Sequence, residues 1–312
     1  MTALATSTST PVGTPAAPPR AGSGGGRVRR FAVGLLAVVL LAALWELVKV
    51  VVPDAGGHVL GASVLPRTDD VAMPHIWTIL ERMTQPETSA VGSPTVLTAM
   101  LQACWFTLRV AMAGWVIGSV GGLLLAALMQ RWRVAESGLL PWVVLSQTVP
   151  LIALAPLVVG WGGRIHLGSF EWQRWMSVAL IASYLAFFPV AVGALRGFQS
   201  PAAAQVELFR ALAASWTRTM LGLRVPASVP YLLPALRLGA ATAVVGAIVA
   251  EVSTGTKGGI GRLIIGYAQA ASGDPAKPWA AIIGAALLGL VAAGLVSLLA
   301  LGLGRYRHSE VS

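Results

Sequence analysis

Of the chain's 312 residues, 56% are apolar and only 11% charged, against roughly a quarter charged in soluble domains, which excludes an ordinary soluble fold. The formal charge of +10 would suit nucleic acid, but Lys and Arg gathered beside apolar runs are also what orients a multi-pass membrane protein. One cysteine, Cys104, excludes an internal disulfide and a cysteine-based metal cluster, and His58, His75, His166 and His308 stand at no ligand spacing.

In chain order, residues 1–26 are mostly Ala, Gly, Pro, Ser and Thr, too polar and small to bury a core, and predict a disordered tail over 1–30. Arg27, Arg29 and Arg30 lead into the apolar run Phe31–Val52. That run exceeds the about 7–15 residues of a cleaved signal sequence, so it reads as a retained first span. With the external loop that follows, it makes a unit over 31–99. Further apolar runs cover Met100–Met129, Leu139–Trp161, Trp175–Leu195, Tyr231–Val252 and Trp279–Leu303. About 20 helical residues cross a bilayer, and a helix satisfies its own backbone in lipid. The expectation is an all-α integral membrane protein of six spans.

Arg131, Arg133, Arg196, Arg210, Arg218, Arg224, Arg237, Arg305 and Arg307 share one side with the N-terminal arginines if the N-terminus is cytoplasmic. The basic bias predicts both termini inside, external loops near 54–99, 162–174 and 253–278, and an internal segment at 200–230. The last residues, 305–312, form an internal tail.

Within the spans, Gly114, Gly118 and Gly122 repeat every fourth residue, a spacing that lets helices approach closely. Packing inside the subunit is favoured over a dimer seam. Pro150, Pro156 and Pro189 can bend their helices. Bent helices that expose carbonyls can line a solute path, which makes Gln147, Thr148, Pro150 and Tyr184 candidate pathway residues; hydrogen bonding between helices is their alternative role. Among charges in apolar runs, Glu46 and Arg109 are expected to pair, Lys49 to snorkel outward and Glu251 to be half-solvated.

The polar stretch Ser200–Leu238 interrupts the apolar pattern. Ser200 and Pro201 suit a helix start. Phe209, Ala213, Trp216 and Met220 share a face at spacings of three and four, Gly222 can end the helix, and Pro226 prevents its continuation. Such an apolar stripe fits a groove on a partner, or equally the chain's own spans or the lipid interface.

Glu207 followed by Leu223, Val225 and Pro226 resembles the cytoplasmic signature of ABC-importer permeases, in which a Glu-Ala-Ala element precedes a Gly and then Ile-x-Leu-Pro. Leu208 and Phe209 replace the two alanines and Ala213 the glycine. Alanine resists a left-handed turn by about 1–2 kcal/mol, so a reshaped turn, with Ala214 and Ser215 sharing the bend, is expected. Other segments resemble the same family: Thr107–Val110 with Gly114 and Gly118, Arg133 with Glu136, Ser146–Pro150 with Ala153–Leu157, and Phe187–Pro189. Gly246–Glu251 with Gly258–Gly261 is similar to its nitrate, sulfonate and taurine branch. Together they cover Thr98 to Leu303.

The resemblance implies a type I importer permease with its core over 100–304, acting as a homodimer with an ABC ATPase dimer inside and an extracytoplasmic solute-binding protein outside, in the cytoplasmic (inner) membrane. It assigns ATPase coupling to Glu207, Phe209, Ala213, Trp216, Leu223, Val225 and Pro226. Its branch favours a sulfonate, taurine or nitrate-like anion, with a pyrimidine or thiamine precursor as the alternative. No G-x-x-x-x-G-K-[ST] phosphate loop occurs. The chain is therefore expected to be non-catalytic and without a cofactor, with ATP and Mg on the partner subunit. A secondary transporter or channel would instead carry several buried ionisable groups at midplane, in which this sequence is poor.

Overall fold

The structure, a computed structural model, describes residues 25–301 apart from 57, 60–61 and 64–66. The expected C-terminal tail and nearly all of the N-terminal one lie outside the described residues. The helices are α1 (Gly25–Val51), α2 (Ile76–Thr84), α3 (Val96–Arg131), α4 (Arg133–Ser146), α5 (Leu151–Gly162), α6 (Arg174–Phe198), α7 (Ala203–Ala211), α8 (Trp216–Thr219), α9 (Val225–Thr254), α10 (Ile260–Gln269) and α11 (Ala276–Leu301). Two tiny hairpins, β1 (His58–Val59) with β2 (Ala62–Ser63) and β3 (His166–Leu167) with β4 (Phe170–Glu171), decorate the connections.

Among the described residues five helices are long and apolar enough to cross a membrane, and the pair α4 and α5, bent by 98°, makes six if it counts as one span. The run Leu139–Trp161 is thus two helices meeting at a sharp angle, where a single continuous span was expected. Pro150 is the cause. It disfavours helical geometry at the residue before it, and it stands in extended backbone as the N-cap of α5. Pro141, Pro156 and Pro189 sit inside α4, α5 and α6 without ending them.

The fifth span also differs from its expected bounds. Helix runs unbroken from Trp216 to Thr254, so neither Gly222 nor Pro226 stops it. A π turn over Met220–Arg224 lies between α8 and α9, and the Val225 N–H bonds the Met220 carbonyl five residues back. The hydrogen-bond ladder is already offset where Pro226 withholds its donor, and Pro226 falls in the first turn of α9, where proline is tolerated.

Helix α6 lies at the centre of the core, parallel to α3 and antiparallel to α9. Small residues set both contacts. A Cβ on Gly114 would stand 2.5 Å from the Ala179 carbonyl oxygen and 2.6 Å from the Ala182 methyl. The same hypothetical atom on Gly118 meets Ser183 and Ala186, and on Gly122 Phe187 and Ala191. The glycine stripe is therefore packed inside the subunit, as its favoured reading had it. On the other side Gly193 faces Ala235, Gly197 faces Ser228 and Gly246 faces Ala182.

Helix α1 is held differently. Its apolar side chains are largely exposed, and it is pinned by polar groups near its C-terminal end. Trp45 Nε1 donates to the Pro74 carbonyl (3.1 Å). Glu46 accepts from the Ile76 N–H at the start of α2 (2.9 Å) and bonds His75 Nδ1 (2.7 Å). Lys49 Nζ donates to the Thr68 and Met73 carbonyls and to Asp70 (3.0, 2.7 and 2.7 Å). The expected Glu46–Arg109 pair is not formed and Lys49 is buried, because the segment Thr68–Ile76 folds back over α1 and supplies both partners. The Lys49 ammonium bonded to Asp70 holds that carboxyl below its ordinary value.

Gly114→Ala is expected to destabilise the subunit by about 1–3 kcal/mol through overpacking against the α6 backbone. Gly138→Ala on α4, whose added methyl meets nothing within 4 Å, should leave stability unchanged or raise it. Thermal unfolding of the two variants in detergent measures the contrast.

Candidate functional site

The segment between α6 and α9 folds as a helical elbow. Helix α7 starts at Ala203, later than Ser200-Pro201 predicts. The Ser200 hydroxyl turns to the Gly197 carbonyl (2.8 Å), and the Gln205 side chain accepts from the Ala202 N–H instead (3.2 Å). No residue of α7 is buried. The turn that follows centres on Ala213, which takes the left-handed region at φ 50°, the only non-glycine residue among those described with positive φ. The expected reshaping does not occur: alanine adopts the conformation that glycine would adopt freely. Its neighbours hold it there. The Ala213 N–H bonds the Arg210 carbonyl (2.9 Å), and the Ala214 N–H bonds the Phe209 carbonyl (3.0 Å). Ser215 then caps α8 by accepting from the Arg218 N–H (3.3 Å).

The face expected to carry Phe209, Ala213, Trp216 and Met220 together is divided by this turn. Phe209 lies over Gly222, where a Cβ would touch its ring at 3.5 Å. Trp216 Nε1 donates to Gln130 Oε1 (3.2 Å), and the Arg131 guanidinium sits 5.0 Å from the Trp216 ring. Met220 is buried in a cluster with Ala126, Met129, Ala194, Leu195 and Phe198. These aromatic anchors therefore fasten the elbow to the chain's own spans. Among the exposed residues of α7 are Glu207, Leu208 and Arg210, with Leu212 at its C-cap and Leu221 exposed nearby. Leu223 and Pro226 are half-buried and Val225 is at the edge of exposure. Sequence spacing, which assumed one unbroken helix, did not show that Leu208 and Leu212 are exposed.

The four candidate pathway residues gather at the α4–α5 break but do different things. The Tyr184 hydroxyl donates to the Ser146 carbonyl, the last of α4, and Thr148 Oγ1 donates to the Leu145 carbonyl (2.8 Å). Each adds a side-chain donor to a helix-end carbonyl that also accepts a backbone N–H of the turn, Thr148 N–H at Leu145 (3.0 Å) and Val149 N–H at Ser146 (3.3 Å). Pro150 starts α5. Only Gln147 reaches the cavity of about 570 Å³ between the break, α6 and α9, whose other polar lining is Arg196, Tyr231 and Thr242. Tyr184 instead lines a separate apolar cavity of about 360 Å³ with Leu154 and Phe187.

A further functional-looking group was misjudged from sequence. Glu251, expected to be half-solvated, is fully buried. Its carboxylate accepts from Thr107 Oγ1 (2.8 and 3.0 Å) and from the Gly261 N–H (2.9 Å), while Thr107 Oγ1 accepts from the Ile260 N–H (2.9 Å). Glu251 and Thr107 thus close the N-terminus of α10, where negative charge is favoured. Gly259 is required because any Cβ there would run into the Glu251 carboxyl group. The signal was present in the glycine-rich run at 258–261, which a buried carboxylate needs in order to approach the backbone.

Comparison with known proteins matches this architecture. The family described as binding-protein-dependent transport system inner membrane component matches residues 118–306. The chain is 32% identical over 191 residues to a formylaminopyrimidine transport permease protein of Halalkalibacterium halodurans, covering 56% of this chain and 70% of that one. It is 27% identical over 276 residues to a protein of Bacillus subtilis named for aliphatic sulfonates transport, covering 88% of each. A riboflavin transport system permease protein of Chloroflexus aurantiacus is 28% identical over 134 residues, 43% of this chain and 46% of that one. A bundle of long apolar helices, matched over most of its core by this family, leaves one assignment: the chain belongs to the binding-protein-dependent permeases, the non-catalytic membrane subunits through which ABC importers pass a small solute.

Proposed function

We propose that two copies of this chain form the path of an importer for a small anion, a sulfonate, taurine or nitrate-like solute, driven by ATPase subunits that grip α7. The observation that carries the coupling role is the exposure of α7: a helix with no buried residue, presenting Glu207, Leu208 and Leu212, on an elbow anchored to the spans by Phe209 and Trp216. A push on α7 passes through those anchors to the Met220 cluster, and so to the ends of α3 and α6. Glu207 would accept hydrogen bonds or meet basic groups on the ATPase, and the two leucines would fill an apolar groove. Leu223, Val225 and Pro226 would act as the hinge where the π turn joins α9. Gln147 is the pathway candidate best supported, since it lines the cavity between α6 and α9 beside Arg196, Tyr231 and Thr242.

The anion reading draws on the resemblance of Gly246–Glu251 and Gly258–Gly261 to the nitrate, sulfonate and taurine branch, and on the long match with the protein named for aliphatic sulfonates. A pyrimidine precursor is the second reading, favoured by the higher identity to the formylaminopyrimidine permease. The division into a first unit over 31–99 and a core over 100–304 belongs to the same proposal.

Cysteine labelling in intact cells tests the orientation, with Cys104 replaced. An impermeant reagent should modify Ser89→Cys and spare Ala203→Cys; the reverse pattern would invert the topology and remove α7 from the ATPase side.

Leu208→Asp, Leu212→Asp and Glu207→Lys should insert normally yet lose the ATPase on co-purification. Phe209→Ala and Trp216→Ala should cost about 2 kcal/mol or more of contact. They should uncouple solute-stimulated ATP hydrolysis even where the ATPase stays bound. Normal transport by all five variants would reduce the elbow to ordinary packing.

Ala213→Gly should relieve about 1–2 kcal/mol of left-handed strain. Thermal unfolding of the assembled complex should shift upward, and Ala213→Val should shift it downward.

A further inference from the structure

Two arginines converge on a cavity that none of the groups above uses. It has a volume of about 600 Å³ and lies between α3, the Gly258–Gly259 turn and α10, toward the end of α3 remote from Gln130 and the elbow. Arg109 enters it from α3 and Arg262 from α10, beside Gln102 and the apolar side chains of Phe106 and Leu263.

Among the described residues, neither guanidinium has a carboxylate within salt-bridge distance. Arg109 has only the Trp105 ring, 5.9 Å from its guanidinium carbon. The single carboxylate at the cavity, Glu87, accepts from the Tyr267 hydroxyl (3.1 Å). Snorkelling to the membrane interface would account for Arg109 alone, which also borders Trp175 in the first turn of α6. Arg262 reaches the same cavity from a different element, and both arginines are exposed. An anion entering the cavity would meet two guanidinium groups that have no carboxylate partner of their own among the described residues.

We infer that Arg109 and Arg262 form a binding site for a small anion, a carboxylate, sulfonate or phosphate group whose apolar portion lies toward Phe106 and Leu263. The inference deepens the proposed anion substrate and rests on that reading. A transported solute and an anionic lipid headgroup present the same chemistry here, so the test separates them.

The full chain, assembled with its ATPase in phosphatidylcholine nanodiscs, is titrated with ethanesulfonate by calorimetry. In parallel, protein extracted from membranes containing phosphatidylglycerol is analysed by native mass spectrometry. Ethanesulfonate should bind the unmodified protein, and Arg109→Gln and Arg262→Gln should each weaken it about tenfold, with Arg109→Lys recovering part of the loss. Retention of phosphatidylglycerol that both Gln variants abolish, without ethanesulfonate binding, would keep the site and make lipid its ligand. Binding that is equal in all variants, or absent for both probes, overturns the proposal. So does dissociation of the permease dimer by either Gln variant in light scattering, which would assign the arginines to a subunit contact. Uptake of ethanesulfonate by cells reports on the substrate separately. Uptake with variant-independent binding sinks the site alone, whereas arginine-dependent binding without uptake sinks the sulfonate reading alone.

Discussion

Backbone approach between α6 and its two neighbours is the constraint on which the rest of this subunit depends. Lipid tails are as apolar as leucine, so burying leucine between spans gains little in a bilayer, and helices associate through close contact instead. Here the contact is made by Gly114, Gly118 and Gly122 on one side of α6 and by Gly193, Gly197 and Gly246 on the other. Because α3 and α9 both lie against α6 with almost no side-chain cushion at these glycines, few rotamer changes are available there to absorb a shift of one helix against another. The Met220 cluster places the elbow at the end of this stiff unit, next to Met129 and Phe198.

The same solvent explains where the polar side chains go. Every helix end inside or beside the membrane needs partners for its free backbone groups, and side chains from distant elements supply them. Glu46 of α1 closes the start of α2, Glu251 and Thr107 close the start of α10, and Tyr184 closes the end of α4. Each fixes a break in the helical pattern to a continuous span. The buried charges read from sequence as possible functional groups are mostly of this kind, which separates them from Arg109 and Arg262, whose guanidinium groups close no helix end among the described residues.

Much of the fold was legible because apolar run length reports directly on membrane crossing. Five of six runs became helices near their expected positions, and the glycine stripe was read correctly as internal packing. Three failures share one origin. The break at Pro150, the continuity through Pro226 and the partners of Glu46 depend on how a local irregularity is absorbed by distant groups, which periodicity does not encode. Pro150 breaks its span and Pro226 does not, although both follow a valine, because the second has a π turn ahead of it. In the elbow the spacing of Glu207 to Pro226 located the segment. It could not tell which residues face outward, since that depends on a left-handed turn at a residue that disfavours it.

That turn bears on how a lever can work. An alanine held at φ 50° is a conformation the surrounding structure must impose, and strain of this sort persists only where neighbours over-determine it. The neighbours are the hydrogen bonds from Ala213 and Ala214 back to α7, the Ser215 cap on α8, and the two aromatic anchors. A glycine at the same place would let α7 swing relative to α8 with little cost. Alanine narrows the accessible backbone, so the angle between the two helices is kept, and under the proposed coupling role force applied to α7 would reach α9 as displacement. The substitution that makes the sequence look divergent would, under the proposed coupling role, give a stiffer joint where transmission and not flexibility is wanted.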